Sequence, residues 1–271
     1  MVYPNQMAWK ERTGRILLPF ALLFGSRCAE VEGVTQQPPK PPIVSPEEEW
    51  QKWNLEEKAV VTFSRKDAPE EERRIKILAP PGTKITINPS YTAFIEQILI
   101  IREQTTNFAT LPDNLVIALS NSPFSLCPVP TPALGSTCPD KKIATIPLQK
   151  NLNAPPLPGL TPKDNLNIAI FAETCNLLLF SGPPAVPREF SNAPWMKTKD
   201  YGVFCDSLGI GAAYAVKRTP YEEYTESLKT IHYQSPFSNE TYQFILLDKD
   251  SYEFLCTVLG DQPPVTIQTN P

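Results

Sequence analysis

Proline is the residue type that most restricts how this chain can fold. The chain contains 31 prolines and 11 glycines in 271 residues, roughly twice the proline share of ordinary globular proteins. Proline has no backbone N–H and fixes φ, so helix interiors and central strands rarely accommodate it. Because prolines recur along most of the chain, we expect short strands and irregular loops, with few helices.

The first 28 residues have the pattern of an export signal. Lys10, Arg12 and Arg15 precede an apolar run at 16–25. Ten residues of helix span about 15 Å, roughly half of a bilayer core, which is too short for a stable transmembrane helix. We therefore predict that residues 1–28 are a signal peptide or a short membrane anchor.

Small residues follow the apolar run and offer a cleavage site before Ala29. A lipoprotein signal needs a small residue directly before its cysteine, whereas Arg27 precedes Cys28, and this argues against lipidation. The alternative is that the apolar run is a helix buried in a folded domain or in a membrane-associated assembly.

A proline-rich stretch, QQPPKPPIVSP, follows the predicted signal. Adjacent prolines favour an extended, semi-rigid chain. We predict that residues 29–49 are a spacer that holds one globular domain, residues 50–271, away from a membrane or wall.

The charge distribution bears on the partner. The net charge is −4, yet the first 28 residues contain four basic residues and one acid, so the remainder is more acidic than the whole. An acidic domain repels phosphates, and we expect no nucleic acid partner. The expected partner is an unidentified protein or surface, with membrane attachment possible only through the N-terminal segment.

Short β-branched runs separated by turn residues predict strands. They occupy residues 59–64, 74–79, 83–88, 114–120, 142–148, 165–173, 175–184, 209–217 and 264–269. The second and third are expected to form a hairpin across PPG, and residues 241–260 another hairpin around the polar DKDS.

Helical spacing of apolar residues predicts one amphipathic helix over 90–101, with Ser90 as its N-cap, and residues 220–232 suggest a short second one. The predicted fold class is α+β: strand-rich, with a mainly antiparallel sheet, one or two amphipathic helices and Pro-rich loops.

The sequence motifs do not match known catalytic or metal-binding sites. His232 is the single histidine, so a histidine-rich metal site is excluded. The block CDSLG is similar to the nucleophile block of SGNH hydrolases, but Cys205 replaces its glycine, and Lys229 stands where an aspartate should precede His232. We assign no catalytic residue, no cofactor and no metal site.

Acidic clusters also have simpler explanations. The spacing of Asp248, Asp250 and Glu253 does not match an EF-hand loop, so we read this stretch as the tip of a hairpin. Three glutamates, at 222, 223 and 226, fit the exposed face of a helix. Asn239, in NET, is a glycosylation sequon that matters only in a cell that glycosylates asparagine.

The cysteines give the strongest structural prediction. Cys127 and Cys138 enclose a short Pro-rich loop without zinc or redox spacing, so an exported chain would join them in a structural disulfide. Cys205 with Cys256, or Cys175 with either, would make a second bridge. Cys175 and Cys256 also lie in apolar runs, where a buried free thiol is the other interpretation.

We therefore expect an extracytoplasmic, non-catalytic interaction or structural domain. The alternative is an extracytoplasmic hydrolase that uses carboxylates, or Ser207 with His232 as its base.

Overall fold

A computed structural model describes the following residues: 52–64, 70–105, 108–121, 127, 129, 133–181, 201–229, 231–234, 241–243, 246–260, 263 and 265–268. All of them belong to one compact unit, Ser45–Pro271. The predicted signal and spacer, 1–28 and 29–49, lie outside the described residues, and the domain boundaries stay a prediction.

A five-stranded mixed sheet forms the centre of this unit, in the order β1-β2-β4-β6-β5. Its strands are β1 Glu56–Phe63, β2 Arg73–Ala79, β4 Asn114–Ser120, β5 Ser136–Cys138 and β6 Ile143–Pro147. The three central strands are parallel to one another, and β1 and β5 pair antiparallel at the two edges. Two further pairs are antiparallel: β3 (Lys84–Ile87) with β9 (Val265–Gln268), and β7 (His232–Gln234) with β8 (Thr241–Gln243).

Six α-helices occur among the described residues: α1 Pro89–Thr105, α2 Leu148–Asn153, α3 Pro162–Phe180, α4 Tyr201–Val216, α5 Tyr221–Leu228 and α6 Lys249–Leu259. Helices α1 and α3 pack on the sheet, α4 packs on α3, and α6 packs on α4 and α1. Within the described part of the chain, no helix combines the length and the apolar character needed to cross a membrane.

The described residues form a large cluster on one face of the sheet and a small one on the other. Alternate residues of the central strands, such as Ile77 and Ile117, face the helices and join a large core. Their neighbours Leu78 and Val116 face the other way and form a small cluster with Cys127. Burial on both faces explains why β4 reads as a continuous apolar run instead of an alternating one.

The predicted α+β class is confirmed, but its details are only partly right. The main sheet is mixed, not mainly antiparallel, and the helices outnumber the expected one or two. The hairpin across PPG does not form, because β3 pairs with β9. Residues 84–87 thus leave the main sheet, and the chain enters α1 at Pro89, one residue before the predicted cap at Ser90.

The largest error concerns the apolar stretch 165–184, which was expected to form two strands. It belongs mostly to α3, whose start is marked by Pro162 and by the carboxylate of Asp164, which accepts a hydrogen bond from the Thr161 amide at 2.6 Å. Helix α3 is buried on nearly all sides. A helix that is apolar all round lacks the periodicity by which an amphipathic helix is recognised.

Two more predicted strand regions are helical for related reasons. Residues 209–216 lie in α4, whose glycines serve helix packing. The polar DKDS is a helix start and not the tip of a hairpin, since Asp248 accepts a hydrogen bond from the Ser251 amide at 2.9 Å and caps α6.

Candidate functional site

The most unusual ionisable group in the described structure is the carboxyl of Glu173, in the middle of α3. Its residue is 7% exposed. The Thr137 hydroxyl donates a hydrogen bond to Oε2, and the Asn176 amide donates to the same oxygen at 3.4 Å. Burial raises the pKa of Glu173 to about 7, although the two hydrogen bonds act to lower it. At neutral pH this carboxyl is therefore divided between its protonated and ionised forms.

Gly135 lies against Oε1, the second carboxyl oxygen of Glu173. A Cβ atom added to this glycine would lie 2.5 Å from Oε1 of Glu173. Any larger residue would displace the carboxyl, so the site depends on a glycine at this position. Gly135 and Thr137 both belong to the described end of the cysteine loop, residues 133–138, which we call the loop segment.

Side chains of α2 hold the start of the loop segment. The Lys150 ammonium donates to the carbonyl of Ala133, and the Asn151 amide donates to the carbonyl of Leu134 at 2.7 Å. The Asn151 amide also donates to the Pro147 carbonyl at 2.8 Å. Polar side chains thus fasten a segment of which only three residues form a strand.

A disulfide holds the other end. It joins Cys138 to Cys127 with the Cα atoms 5.6 Å apart. Cys127 is fully buried and packs with Leu78 and Val116 on the face of the sheet that points away from the helices. The bridge therefore does two things: it closes the loop and supplies apolar cover to the sheet.

A second disulfide joins Cys175 of α3 to Cys205 of α4, with the Cα atoms 5.5 Å apart. The helices come close because of Gly209: a Cβ there would lie 2.7 Å from the carbonyl oxygen of Ile168. Cys256 keeps a free, half-buried thiol, and burial raises its pKa. Of the pairings left open by the sequence, the structure shows Cys175 with Cys205.

Arg102 of α1 is buried against the end of α3. Its guanidinium donates to the carbonyls of Leu178, at 2.6 Å, and Ser181, at 2.9 Å, and burial lowers its pKa to about 10. Carbonyls at a helix end lack intrahelical donors. Arg102 supplies them, which is a structural role.

A tyrosine cluster between α4, α5 and α6 also has a structural role. The rings of Tyr224 and Tyr252 stack with centroids 4.5 Å apart. The Tyr252 hydroxyl donates to the Thr219 carbonyl at 2.7 Å, and the Tyr214 hydroxyl donates to the Pro158 carbonyl at 2.6 Å. The hydroxyls of Tyr214 and Tyr252 thus donate hydrogen bonds to backbone carbonyls.

The residues considered for hydrolysis are placed as follows. Ser207 is 4% exposed within α4, and CDSLG is helical instead of forming the exposed turn that presents a nucleophile. His232 begins β7. The side chain of His232 lies outside the described part of the structure.

The glutamates of the predicted acidic helix face lie on the surface of the domain. Glu222 pairs with Lys249 at 3.7 Å and Glu226 with Lys229 at 3.2 Å, all with exposed side chains. No three described residues with histidine, cysteine or carboxylate side chains are grouped as a metal site would need. Asn239 lies outside the described residues.

Comparison with protein-family models, with curated proteins and with solved structures finds no match to the chain. The site therefore rests on its own geometry. Sequence reasoning missed Glu173, although a signal was present: it is the only charged residue between 165 and 181. A lone carboxyl inside an apolar helix is a candidate for a perturbed pKa. Gly135 and Thr137 carry no comparable signal.

Proposed function

We propose that this protein works outside the cytoplasm as a disulfide-stabilised interaction domain, set apart from a membrane or wall by residues 29–49. The observation that carries the proposal is the pair of disulfides in the described structure, Cys127–Cys138 and Cys175–Cys205. Disulfides persist in oxidising compartments and are rare in the cytosol. The basic and apolar pattern of residues 1–28 supports the same location.

Binding is favoured over hydrolysis by the position of the candidate nucleophile. Ser207 is almost inaccessible within α4. The carboxyl of Glu173 is likewise enclosed by the loop segment, where a substrate would have to displace that segment to reach it. We therefore assign the function to the outer surface of the domain.

Alkylation of thiols in the acid-quenched producing cell tests the location. If the chain is exported and cleaved before Ala29, a maleimide reagent added in denaturant after acid quenching should modify Cys256 alone, since the other four cysteines of the mature chain are bridged. A Cys256→Ser variant should then show no modification. Modification of all the cysteines in the native protein would contradict the proposal.

Deletion of residues 16–25 provides the matched control, because it removes the apolar run and leaves the domain unchanged. Unfolded in denaturant with the maleimide present, the retained chain should be modified at every cysteine; the denaturant is needed because Cys127, Cys175 and Cys205 are fully buried in the folded domain. N-terminal sequencing of the native protein should in parallel begin at or near Ala29.

Photo-cross-linking in the same cell tests the interaction. Val60 and Ile100 are the exposed large apolar residues of the described structure, at 42% and 51%, and they are suitable positions for a photoreactive side chain. We expect one discrete cross-linked product from at least one position, and none from a probe at Glu253. Esterase activity that disappears in Ser207→Ala would instead favour the hydrolase.

A further inference from the structure

The contact between Glu173 and the loop segment joins a well-packed helix to a short edge strand. Helix α3 has 19 residues, packs against α1 and α4, and is bridged to α4 by a disulfide. Strand β5 has three residues at the edge of the sheet and pairs only with β6. If the contact fails, β5 and the loop segment should move, while α3 stays.

Ionisation sets the burial of this carboxyl against the hydrogen bonds that it accepts, and burial is the larger of the two effects on its pKa. A carboxylate needs several donors when water is excluded, and burying it otherwise is costly. In the described structure Thr137 and Asn176 both donate hydrogen bonds to Oε2 of Glu173, while Oε1 faces Gly135. Withdrawal of the loop segment would open the Gly135 side of Oε1 to water.

Other charges on the surrounding elements do not explain the behaviour of this carboxyl. Strands β4, β5 and β6 carry no charged residue. The charged residues of the other elements packed on α3 are Glu96, Arg102 and Glu103 of α1, Lys150 of α2, Asp140 and Lys141 of the 3-10 turn Pro139–Lys141, and Asp206 of α4. None of them is among the causes of the raised pKa of Glu173, which are burial and the opposing hydrogen bonds from Thr137 and Asn176.

We propose that the loop segment is a proton-controlled latch, closed on Glu173 while the carboxyl is protonated and released from β6 when the carboxyl ionises. Because the pKa is about 7 when the latch is closed, the opening equilibrium rises with pH up to about 7 and levels off above it. The Cys127–Cys138 bridge keeps the released segment tethered. Because the latch depends only on described contacts within the domain, it does not rest on the proposed export.

Release changes what the sheet offers to its surroundings. The outer edge of β6, at residues 143–145, loses its antiparallel partner β5. An unpaired strand edge presents free N–H and C=O groups to any extended peptide. The latch thus exposes a hydrogen-bonding edge in the neutral to alkaline range and covers it in acid.

Hydrogen exchange of the full-length oxidised protein between pH 5.5 and 8.5 tests the latch. The amides of Ser136, Thr137 and Cys138 report β5. After correction for the intrinsic rate, their opening equilibrium should rise about 30-fold, given a pKa near 4.5 when open and about 7 when closed. The amides of β4 should stay protected over the same range.

Three variants make the test decisive. Glu173→Gln keeps the shape and removes the charge, so β5 should remain protected at every pH. Glu226→Gln, at an exposed glutamate, should behave like the wild type. Gly135→Ala places a Cβ against the carboxyl, so β5 should exchange rapidly even at pH 5.5.

Three results would overturn the latch. The first is an equal rise in Glu173→Gln and wild type. The second is protection of β5 that does not change with pH in the wild type. The third is a parallel rise in β4, because global unfolding would then explain the exchange.

Discussion

The two disulfides occupy opposite kinds of surroundings. Cys175–Cys205 connects two long helices inside the large core, where Gly209 already brings the backbones together. Cys127–Cys138 closes a short loop whose described end is held by a few polar side chains and a three-residue strand. The first bridge reinforces helix packing that exists without it, whereas the second holds a described segment that has few other contacts.

This difference predicts that the two disulfides stabilise the protein in different ways. In the helices, the native structure should survive without the bridge, and the main effect should be on the entropy of the unfolded chain. In the loop, the native state itself should change when the bridge is removed. The following predictions separate these two modes of action.

The largest loss of stability is expected from the double substitution Cys175→Ala with Cys205→Ala. The bridge spans a sequence separation of 30, and loop-closure entropy then gives a loss of about 3.5 kcal/mol. Urea unfolding under oxidising conditions measures it, with Cys256→Ala as the control expected to change stability little. Exchange protection of α3 and β5 should be preserved; local loss of protection in α3 would remove the distinction between the bridges.

The pair Cys127→Ala with Cys138→Ala should cost less, about 2 kcal/mol, because its loop is shorter and Pro128, Pro130 and Pro132 already restrict it. Amides 136–138 should nevertheless lose protection while β4 keeps its own. Exchange measured beside urea unfolding checks both statements. Unchanged protection of 136–138 would show that the side-chain contacts alone hold the loop segment.

The helix contact can be tested without touching cysteine. Gly209→Ala places a methyl group against the fixed carbonyl of Ile168 and should cost about 1 to 2 kcal/mol, despite the better helix propensity of alanine. Gly211→Ala is the matched control, since its Cβ would meet the flexible end of Leu247. Thermal unfolding should place Gly209→Ala clearly below Gly211→Ala. The reverse order would show that close packing does not bring Cys175 to Cys205.

The smallest effect is expected from Thr137→Val. The threonine hydroxyl donates to the carboxylate and lowers the pKa of Glu173, so its removal should raise that pKa above about 7 by roughly half a unit to one unit. Carbon NMR of labelled glutamate measures the titration, with Thr225→Val as control, because the Thr225 hydroxyl donates only to a backbone carbonyl of its own helix, that of Glu222. A lowered pKa would mean that the hydroxyl does not stabilise the charged form.

The pKa of Glu173 also fixes the sign of its effect on stability. The carboxyl holds its proton in the folded chain up to about pH 7 and loses it near pH 4.5 when unfolded. Between these values the folded state binds more protons, so the contribution of Glu173 to stability falls as pH rises.

The sequence predicted strands well where apolar residues are interrupted by turns, as in β1, β2, β4 and β6. It failed where burial removes the alternation of polar and apolar residues. Residues 165–180 lie at the centre of the core, and a helix that is apolar all round cannot be told from strands by period. The pairing of β3 with β9 could not be predicted either, because the local sequence of a strand carries no information about a distant partner.

The site was predictable only in part. Close spacing singled out Cys127 and Cys138, the pair that the structure joins. Glu173 becomes significant only once β5 folds against α3, and Gly135 only once a carboxyl fills the space of its missing side chain. Such contacts between elements far apart in sequence are set by tertiary structure.

The pairing of β3 with β9 has a consequence for the order of folding. The amide of Asn88 donates to the carbonyl of Pro263 across 175 residues, directly beside this pair of strands. Contacts between distant residues form slowly. A chain synthesised from its N-terminal end contains β3 long before it contains β9, so the backbone of this corner cannot pair until residues 265–268 have also been made.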